Sequence, residues 1–323
     1  MQRGTPYCWG SNDFGQLGDN TTTDRRRPSR VLDLTDATSI VTGENDTCAI
    51  QSATAFCWGY SGYGLFQNGG GAEYHRPTEV PNLVNVTAIS TDTSTLCVAS
   101  DGAAYCWGYL ANQQVYRDQE KDTPVQGLTN VSAVTSSETC AIDNLTAYCW
   151  IGSDGEPFRV RGLDNVTAIS ASPNTTCAIS YGAAYCWGSN TFGQLGDGTT
   201  TARHEPNRVP GLSNVTSIST SSDSVCAVSS GEAYCWGSNR HGQLGDGTTT
   251  DRHSPNRVPG LVNVTSISTD STATAGSTSP SDNNATTCAV SDATAYCWGS
   301  NGYGELGDGS TTERHRPTSV QAP

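Results

Sequence analysis

With 323 residues, a hydrophobic fraction of 35% and one methionine, the chain lacks the material for a single thick aliphatic core. Its net charge of −14, with Lys121 as the sole lysine, argues against a nucleic-acid or anionic-membrane surface. No apolar run approaches the ~20 residues of a membrane span, and Met1-Gln2-Arg3-Gly4 does not open a signal peptide.

Taken from the N-terminus, the first strand pattern is Tyr7–Gly10. A turn-rich stretch ending at Asp19 follows, and then a second strand over Pro28–Leu34. From residue 35 onward a longer unit repeats, over 35–83, 84–128, 129–163, 164–212, 213–261 and 262–323. Each unit ends its third strand on a Cys-Trp pair, so the tryptophans fall at Trp9, Trp58, Trp107, Trp150, Trp187, Trp236 and Trp298. The sixth copy reads Asn214–Ser219, Val225–Val228, Ala233–Gly237, the turn Gly242–Gly247, and Pro255–Leu261. Four short strands with Gly-rich punctuation and no helical period, repeated about seven times, predict an all-β, seven-bladed β-propeller filling residues 1–323 as one domain. Residues 7–34 supply only the outer two strands of the first blade. Its inner strands are expected from sequence upstream of this chain or from a neighbouring molecule.

The best-defined copy of the second and third strands is Leu96–Gly108, in which Asp101-Gly102 is a strong signal for a two-residue hairpin turn. Counting outward from that turn, Cys97 faces Cys106 at a non-hydrogen-bonded pair, where the backbones approach closely enough for a disulfide. The nine-residue spacing recurs at Cys48/Cys57, Cys140/Cys149, Cys177/Cys186, Cys226/Cys235 and Cys288/Cys297, leaving Cys8 unpaired among thirteen cysteines. Free buried thiols are the plain alternative, and ligand clusters of metal-site spacing are missing from the sequence. Loop-closure arguments give about 2–3 kcal/mol per bridge, and paired cysteines point to an oxidising compartment, extracellular or cell-surface. Tyr181-Gly182 and Ser230-Gly231 suit the turn, whereas Ser52-Ala53 and Asn144-Leu145 suit it poorly and suggest another turn type.

Tyr185–Gly198, reading Tyr-Cys-Trp-Gly-Ser-Asn-Thr-Phe-Gly-Gln-Leu-Gly-Asp-Gly, resembles the signature of the regulator-of-chromosome-condensation repeats. Copies at Tyr7–Asp19, Tyr234–Gly247 and Tyr296–Gly309 resemble it too. The resemblance implies a seven-bladed propeller. The cysteine pairs look like those of secreted members rather than the nuclear protein. The family's nucleotide-exchange activity on a small GTPase and its chromatin binding are also implied, but no exchange residues match by motif and the acidic charge opposes chromatin.

Candidate chemistry is sparse. Gly193–Gly198 lacks the helix and lysine of a P-loop. Asp197, Asp246 and Asp308 each offer one carboxylate per loop, fewer than calcium needs. His204, His253 and His315 repeat with the unit and fall on different blades, so no nucleophile–base set emerges and no cofactor or metal is expected. Sequons occur at Asn20, Asn45, Asn85, Asn130, Asn144, Asn165, Asn174, Asn214, Asn263 and Asn284, five of them at one repeat position. They are candidate N-glycosylation sites in a eukaryotic secretory host. Residues 271–287 form a Ser/Thr-rich insertion.

Copies two to four depart from the Gly-Gln-Leu-Gly-Asp form. They carry Tyr60, Tyr63, Phe66 and Tyr74, then Tyr109, Tyr116 and Arg117, and last the short 152–156 link. Tyr and Arg are enriched at binding hot spots. These residues make the candidate partner surface, with drift of a solvated loop as the alternative. The expected function is a non-enzymatic extracellular scaffold binding another protein or its own copies, with a carbohydrate-binding lectin as the alternative.

Overall fold

The computed structural model describes residues 4–61, 71–92, 94–110, 113–115, 124–150, 156–271 and 285–323. Two compact units divide the chain, Met1–Val160 with Pro323, and Arg161–Ala322.

In the first unit, β1 (Tyr7–Gly10) and β2 (Arg25–Arg30) form a two-stranded sheet. A four-stranded blade follows from β3 (Ala37–Thr42), β4 (Asp46–Gln51), β5 (Thr54–Ser61) and β6 (Ala72–Glu79). The next is built from β7 (Val86–Thr91), β8 (Thr95–Ser100), β9 (Ala103–Leu110) and β10 (Gln113–Val115). The third comprises β11 (Val131–Thr135), β12 (Cys140–Asp143), β13 (Thr146–Cys149) and β14 (Phe158–Arg159). The second unit holds three more blades. They are β15 (Val166–Ala171), β16 (Thr175–Ser180), β17 (Ala183–Gly188) and β18 (Arg203–Arg208); then β19 (Val215–Thr220), β20 (Ser224–Ser229), β21 (Glu232–Gly237) and β22 (Arg252–Arg257); then β23 (Val264–Ser271), β24 (Ala285–Ser291), β25 (Thr294–Gly299) and β26 (Arg314–Ser319). The architecture is an all-β propeller. The seven-bladed expectation is corrected to six four-stranded blades and one two-stranded sheet, because the first copy contributes only its outer strands among the described residues.

All six hairpins pair their cysteines in register: Cys48 with Cys57, Cys97 with Cys106, Cys140 with Cys149, Cys177 with Cys186, Cys226 with Cys235 and Cys288 with Cys297. Their Cα–Cα distances are 4.0–4.1 Å. The close backbone approach is that of a non-hydrogen-bonded antiparallel pair. Every connecting turn has positive φ at both central residues, as at Asp101 (50°) and Gly102 (81°). Ser52-Ala53 and Asn144-Leu145 adopt this same turn, against the expectation of another type, and so place Ala53 (59°) and Leu145 (59°) in left-handed conformation. Strand twist selects the turn and the disulfide closes it, so the local residue preference is overridden.

On the outer side of the third strand the pairing is irregular. Cys57 lies opposite Thr78 but Gly59 opposite Tyr74, and Cys297 lies opposite Thr318 but Gly299 opposite Arg314. The register therefore slips just beyond each of these cysteines. Trp58 is faced by His75-Arg76-Pro77 and Trp298 by His315-Arg316-Pro317, where an even ladder would supply a single residue. Cys8, Cys186 and Cys235 are followed by the same slip. A proline cannot donate to the ladder, and the outermost strand is where a proline and a bulge are tolerated. The outer strands accordingly start ahead of their prolines, β2 at Arg25 and β22 at Arg252, rather than at Pro28 and Pro255 as the pattern suggested. On the opposite edge the ladder stays regular, so Cys57 and Cys297 keep their expected partners and are fully buried.

Within each unit, packing between successive blades follows one rule. The disulfide face of one blade meets the Trp/Tyr face of the next. Cys97, Ala99, Ala104 and Cys106 pack with Val131, Val134, Ala141, Trp150 and Tyr148. Cys226, Val228, Ala233 and Cys235 pack with Val264, Ile267, Ala289, Trp298 and Tyr296. A blade with a neighbour on each side within its unit is thus covered on both faces, and a series of thin cores replaces one thick one. Small residues suffice for this, in keeping with the lean hydrophobic composition.

Candidate functional site

The Gly-Gln-Leu-Gly-Asp loops join the third and fourth strands, and their side chains are spent on structure. Asn190, Asn239 and Asn301 are buried. Each accepts at Oδ1 from a leucine amide (Leu195, 2.9 Å; Leu244 and Leu306, 3.0 Å). Nδ2 of each donates to two carbonyls further along the loop, as Asn239 does to Thr248 and Thr250. Asp246 accepts at Oδ1 from the Thr248 amide and hydroxyl, and at Oδ2 from Arg252 and Asn256. Burial pushes this carboxyl up, but the Thr248 and Arg252 hydrogen bonds outweigh it and hold it below the ordinary carboxylate range. Asp19, Asp197 and Asp308 are held down in the same way. In each, Oδ2 pairs with an arginine and Oδ1 accepts from a threonine or serine.

These loops also lock onto the following blade. The indole Nε1 of Trp58 donates to Gln16 O at 2.9 Å, and those of Trp236 and Trp298 donate to Gln194 O and Gln243 O at 2.8 Å. A Cβ added at Gly18, Gly196 or Gly245 would lie 2.7 Å from the same nitrogens, so glycine is required where the indole passes. The imidazoles of His75, His253 and His315 press on Gly15, Gly193 and Gly242. These three histidines therefore cover the loop glycines, whereas His204 is exposed. His241 Nδ1 meets Glu313 Oε2 at 3.1 Å, and Glu313 Oε1 meets His315 Nε2 at 2.6 Å.

Of the candidate partner surface, the structure places Tyr60 beside Phe14, ring centroids 5.4 Å apart, joining the first loop to the third strand of the following blade. Tyr74 is half-buried and packs against two inter-blade cores. Tyr109 lies in β9 opposite Gln114. Tyr63, Phe66, Tyr116, Arg117 and the 152–155 link lie outside the described residues.

The sequons are spread over both units. Asn85, Asn165, Asn214 and Asn263 share positive φ of 48–50° just before an inner strand. Asn85 and Asn263 donate to the hairpin-turn carboxylates of Asp101 and Asp292, and Asn130 donates to Asn144 Oδ1. Asn20 and Asn174 are exposed, Asn45 is half-buried, and Asn284 is outside the described residues.

One polar site has no counterpart in the sequence reading. Asp46 is buried, and its Oδ2 accepts from the Thr91 hydroxyl of the next blade at 2.5 Å. Burial pushes its carboxyl up to about 7, with Thr91 opposing and Asp92 adding to the rise. Asp92 is raised as well, by burial, against hydrogen bonds from Ser94 and Thr95. Asp46 pairs with Gly59 where other blades place Thr95, Thr175, Ser224 and Thr286 opposite the equivalent glycine. That substitution within an otherwise hydroxyl-bearing repeat position is the signal that would have exposed it.

The sequence model described as the regulator of chromosome condensation (RCC1) repeat matches residues 3–50, 181–228, 230–275 and 292–323, more than half of the chain. The chain belongs to the RCC1 repeat family. A second RCC1-repeat model matches residues 166–194. Among solved RCC1-like structures, Prp20p from Saccharomyces cerevisiae is 17% identical with a TM-score of 0.79, covering 100% of this chain and 87% of that one. Human WBSCR16 is 18% identical with a TM-score of 0.80, covering 99% and 95%. Yeast RCC1 (Prp20) bound to Kap60 is 18% identical with a TM-score of 0.78, covering 98% and 84%. At such identities the likeness is one of fold. No curated protein sequence matches the chain.

Proposed function

We propose that this RCC1-type propeller is a non-enzymatic, protein-binding scaffold of an oxidising, extracellular or cell-surface compartment. The observation that carries the reading is the set of six in-register disulfides, one for each four-stranded blade, buried except at the half-buried Cys149 and Cys288. A reducing compartment would not maintain them. The repeated polar residues of the loops support a binding role, because they are consumed in holding blades together and leave the loop tips to contact others. One fold relative, yeast RCC1 (Prp20), is described as binding proteins, with Gsp1p and histones in one structure and Kap60 in another. With a net charge of −14, a basic protein face suits this chain better than DNA does.

The test has two parts. Fractionation of the source cells should recover the chain outside the cytosol with twelve of its thirteen cysteines resistant to alkylation; recovery from the cytosol with free thiols would overturn the placement. A photo-crosslinker replacing Tyr60 should capture a protein, and a glycan array probed with the same protein should stay blank. A glycan signal without protein capture would favour the lectin reading.

A further inference from the structure

The cations of this acidic chain gather on its outermost strands. Twelve of the seventeen lysines and arginines lie in β2, β6, β14, β18, β22 and β26, so a surface for an anionic partner is to be sought there. Six of those arginines meet a carboxylate of the chain itself. Arg25, Arg203, Arg252 and Arg314 pair with the loop carboxylates of Asp19, Asp197, Asp246 and Asp308. Arg76 pairs with Asp33 at 3.3 Å and Arg257 with Glu232 at 2.7 Å.

β2 departs from its siblings. It reads Arg25-Arg26-Arg27-Pro28-Ser29-Arg30, and only Arg25 meets an acid. Arg26, Arg27 and Arg30 are exposed, with no carboxylate in ion-pair reach among the described residues. Arg30 stands opposite Tyr7 as Arg257 stands opposite Tyr234. Two residues before the tyrosine, however, Thr5 replaces Glu232, and the partner of Arg257 has no counterpart. Counted between the same paired residues, Arg27 holds the position of Arg76 and Arg26 that of His75. Asp24, the acid just before the strand, accepts at Oδ1 from the Asn12 amide at 2.9 Å and pairs with none of the three.

We propose that the solvent side of β2 is a docking surface for an acidic, extended segment of a partner protein, whose carboxylates pair with Arg26, Arg27 and Arg30. The proposal names a partner class within the protein-binding reading and rests on it. The three guanidiniums are strung along about 13 Å of extended backbone, a span that a few extended residues of a partner cover. A guanidinium offers a planar fork to a carboxylate and is weakly hydrated, so contact costs less desolvation than with lysine. The net charge of −14 does not cancel the cluster at contact, because charges beyond ~8 Å are largely screened at physiological ionic strength. Pro28 has no amide to donate, so recognition runs through the side chains rather than through an added strand. A sulfated glycan also answers to arginine, but carboxylate is the group that the corresponding Arg76 and Arg257 already take.

The probe is a dye-labelled Glu-Gly repeat peptide, with its Gln-Gly counterpart as control, titrated into the full chain with its disulfides intact and read by fluorescence anisotropy. The acidic peptide should bind saturably, at least about tenfold more tightly than the neutral one, and weaken steadily as salt is raised. The combined variant Arg26→Gln, Arg27→Gln and Arg30→Gln should lose that preference. Arg208→Gln removes an exposed arginine of β18 and should change nothing. If the combined variant does not fold, Arg27→Gln and Arg30→Gln alone should each weaken binding by about threefold. Equal binding of the acidic peptide by wild type and these variants would overturn the proposal. So would tighter binding of a heparin-derived oligosaccharide than of the peptide, lost in the same variants, which would make this a glycan site. A failed peptide titration would leave the Tyr60 crosslinking result, and the protein-binding reading, standing.

Discussion

Asp46→Asn isolates the buried carboxyl that bridges two blades of the first unit. Asparagine keeps the shape and an oxygen to accept from Thr91, but it cannot ionise. In the wild type the carboxyl rises from an ordinary 3.8 to about 7, chiefly through burial. A raised acid favours the folded state while protonated. That contribution is fully present below the unfolded value near 3.8 and is lost as pH climbs through about 7. At ~1.4 kcal/mol for each pH unit between the two values, the ceiling is about 4 kcal/mol, and relaxation around the charge reduces it to roughly 2–4 kcal/mol. The groups facing Asp46 are the Thr91 hydroxyl, the neighbouring Asp92 and the backbone of Gly43. Asp92 carries its own charge toward the site and makes ionisation of Asp46 harder still. Urea unfolding of wild type and Asp46→Asn, followed by tryptophan fluorescence with the disulfides intact, should give equal stabilities near pH 4. At pH 8 the variant should be more stable by about 2–4 kcal/mol. A stability difference that stays constant from pH 4 to pH 8 would refute the reasoning, because only titration of this carboxyl makes it pH-dependent.

Three further predictions concern the repeat itself. Leu145 holds φ of 59° in its hairpin turn and is exposed, so Leu145→Gly should raise stability by about 1 kcal/mol, read as a higher thermal midpoint. The buried Thr175 hydroxyl has no hydrogen-bond partner among the described residues, so Thr175→Val should stabilise by about 1 kcal/mol in the same assay. Asp246 behaves oppositely to Asp46: its depressed carboxyl stabilises above its unfolded value, and that contribution is lost as pH falls through the folded one. Asp246→Asn should therefore cost about 1 kcal/mol at pH 7 and progressively less in acid, checked by urea midpoints at pH 7 and pH 3.

The strand pattern, the hairpin register and the cysteine partners were legible in the chain because they are local. A two-residue turn and a period of two leave one pairing in which Cys97 meets Cys106, and the same count serves five more times. Both-face coverage of the blades was legible as well, since Tyr234 and Trp236 alternate with Cys235. The slip beyond Cys57 and Cys297 escaped that count, because no short turn fixes where the outer strand returns and a proline interrupts its ladder. Nor could local pattern decide which face meets which neighbour. The Trp298 indole seeks Gln243 O, 55 residues away, and that pairing exists only once two blades are stacked. The turn at Asn144-Leu145 was misjudged for a related reason: residue preference opposed it, and strand twist with a disulfide overrode that preference. Tyr74 reads as a surface aromatic in the sequence but is half-buried, because β6 sets that side chain against the cores between blades. Asp46 shows the limit most sharply. Its identity stood plainly in the sequence, but its raised carboxyl belongs to the packed state, where a second blade removes water and supplies Thr91 and Asp92. Local repetition determined the blades and their staples, whereas burial between blades, which depends on distant residues, decided which polar groups carry a charge.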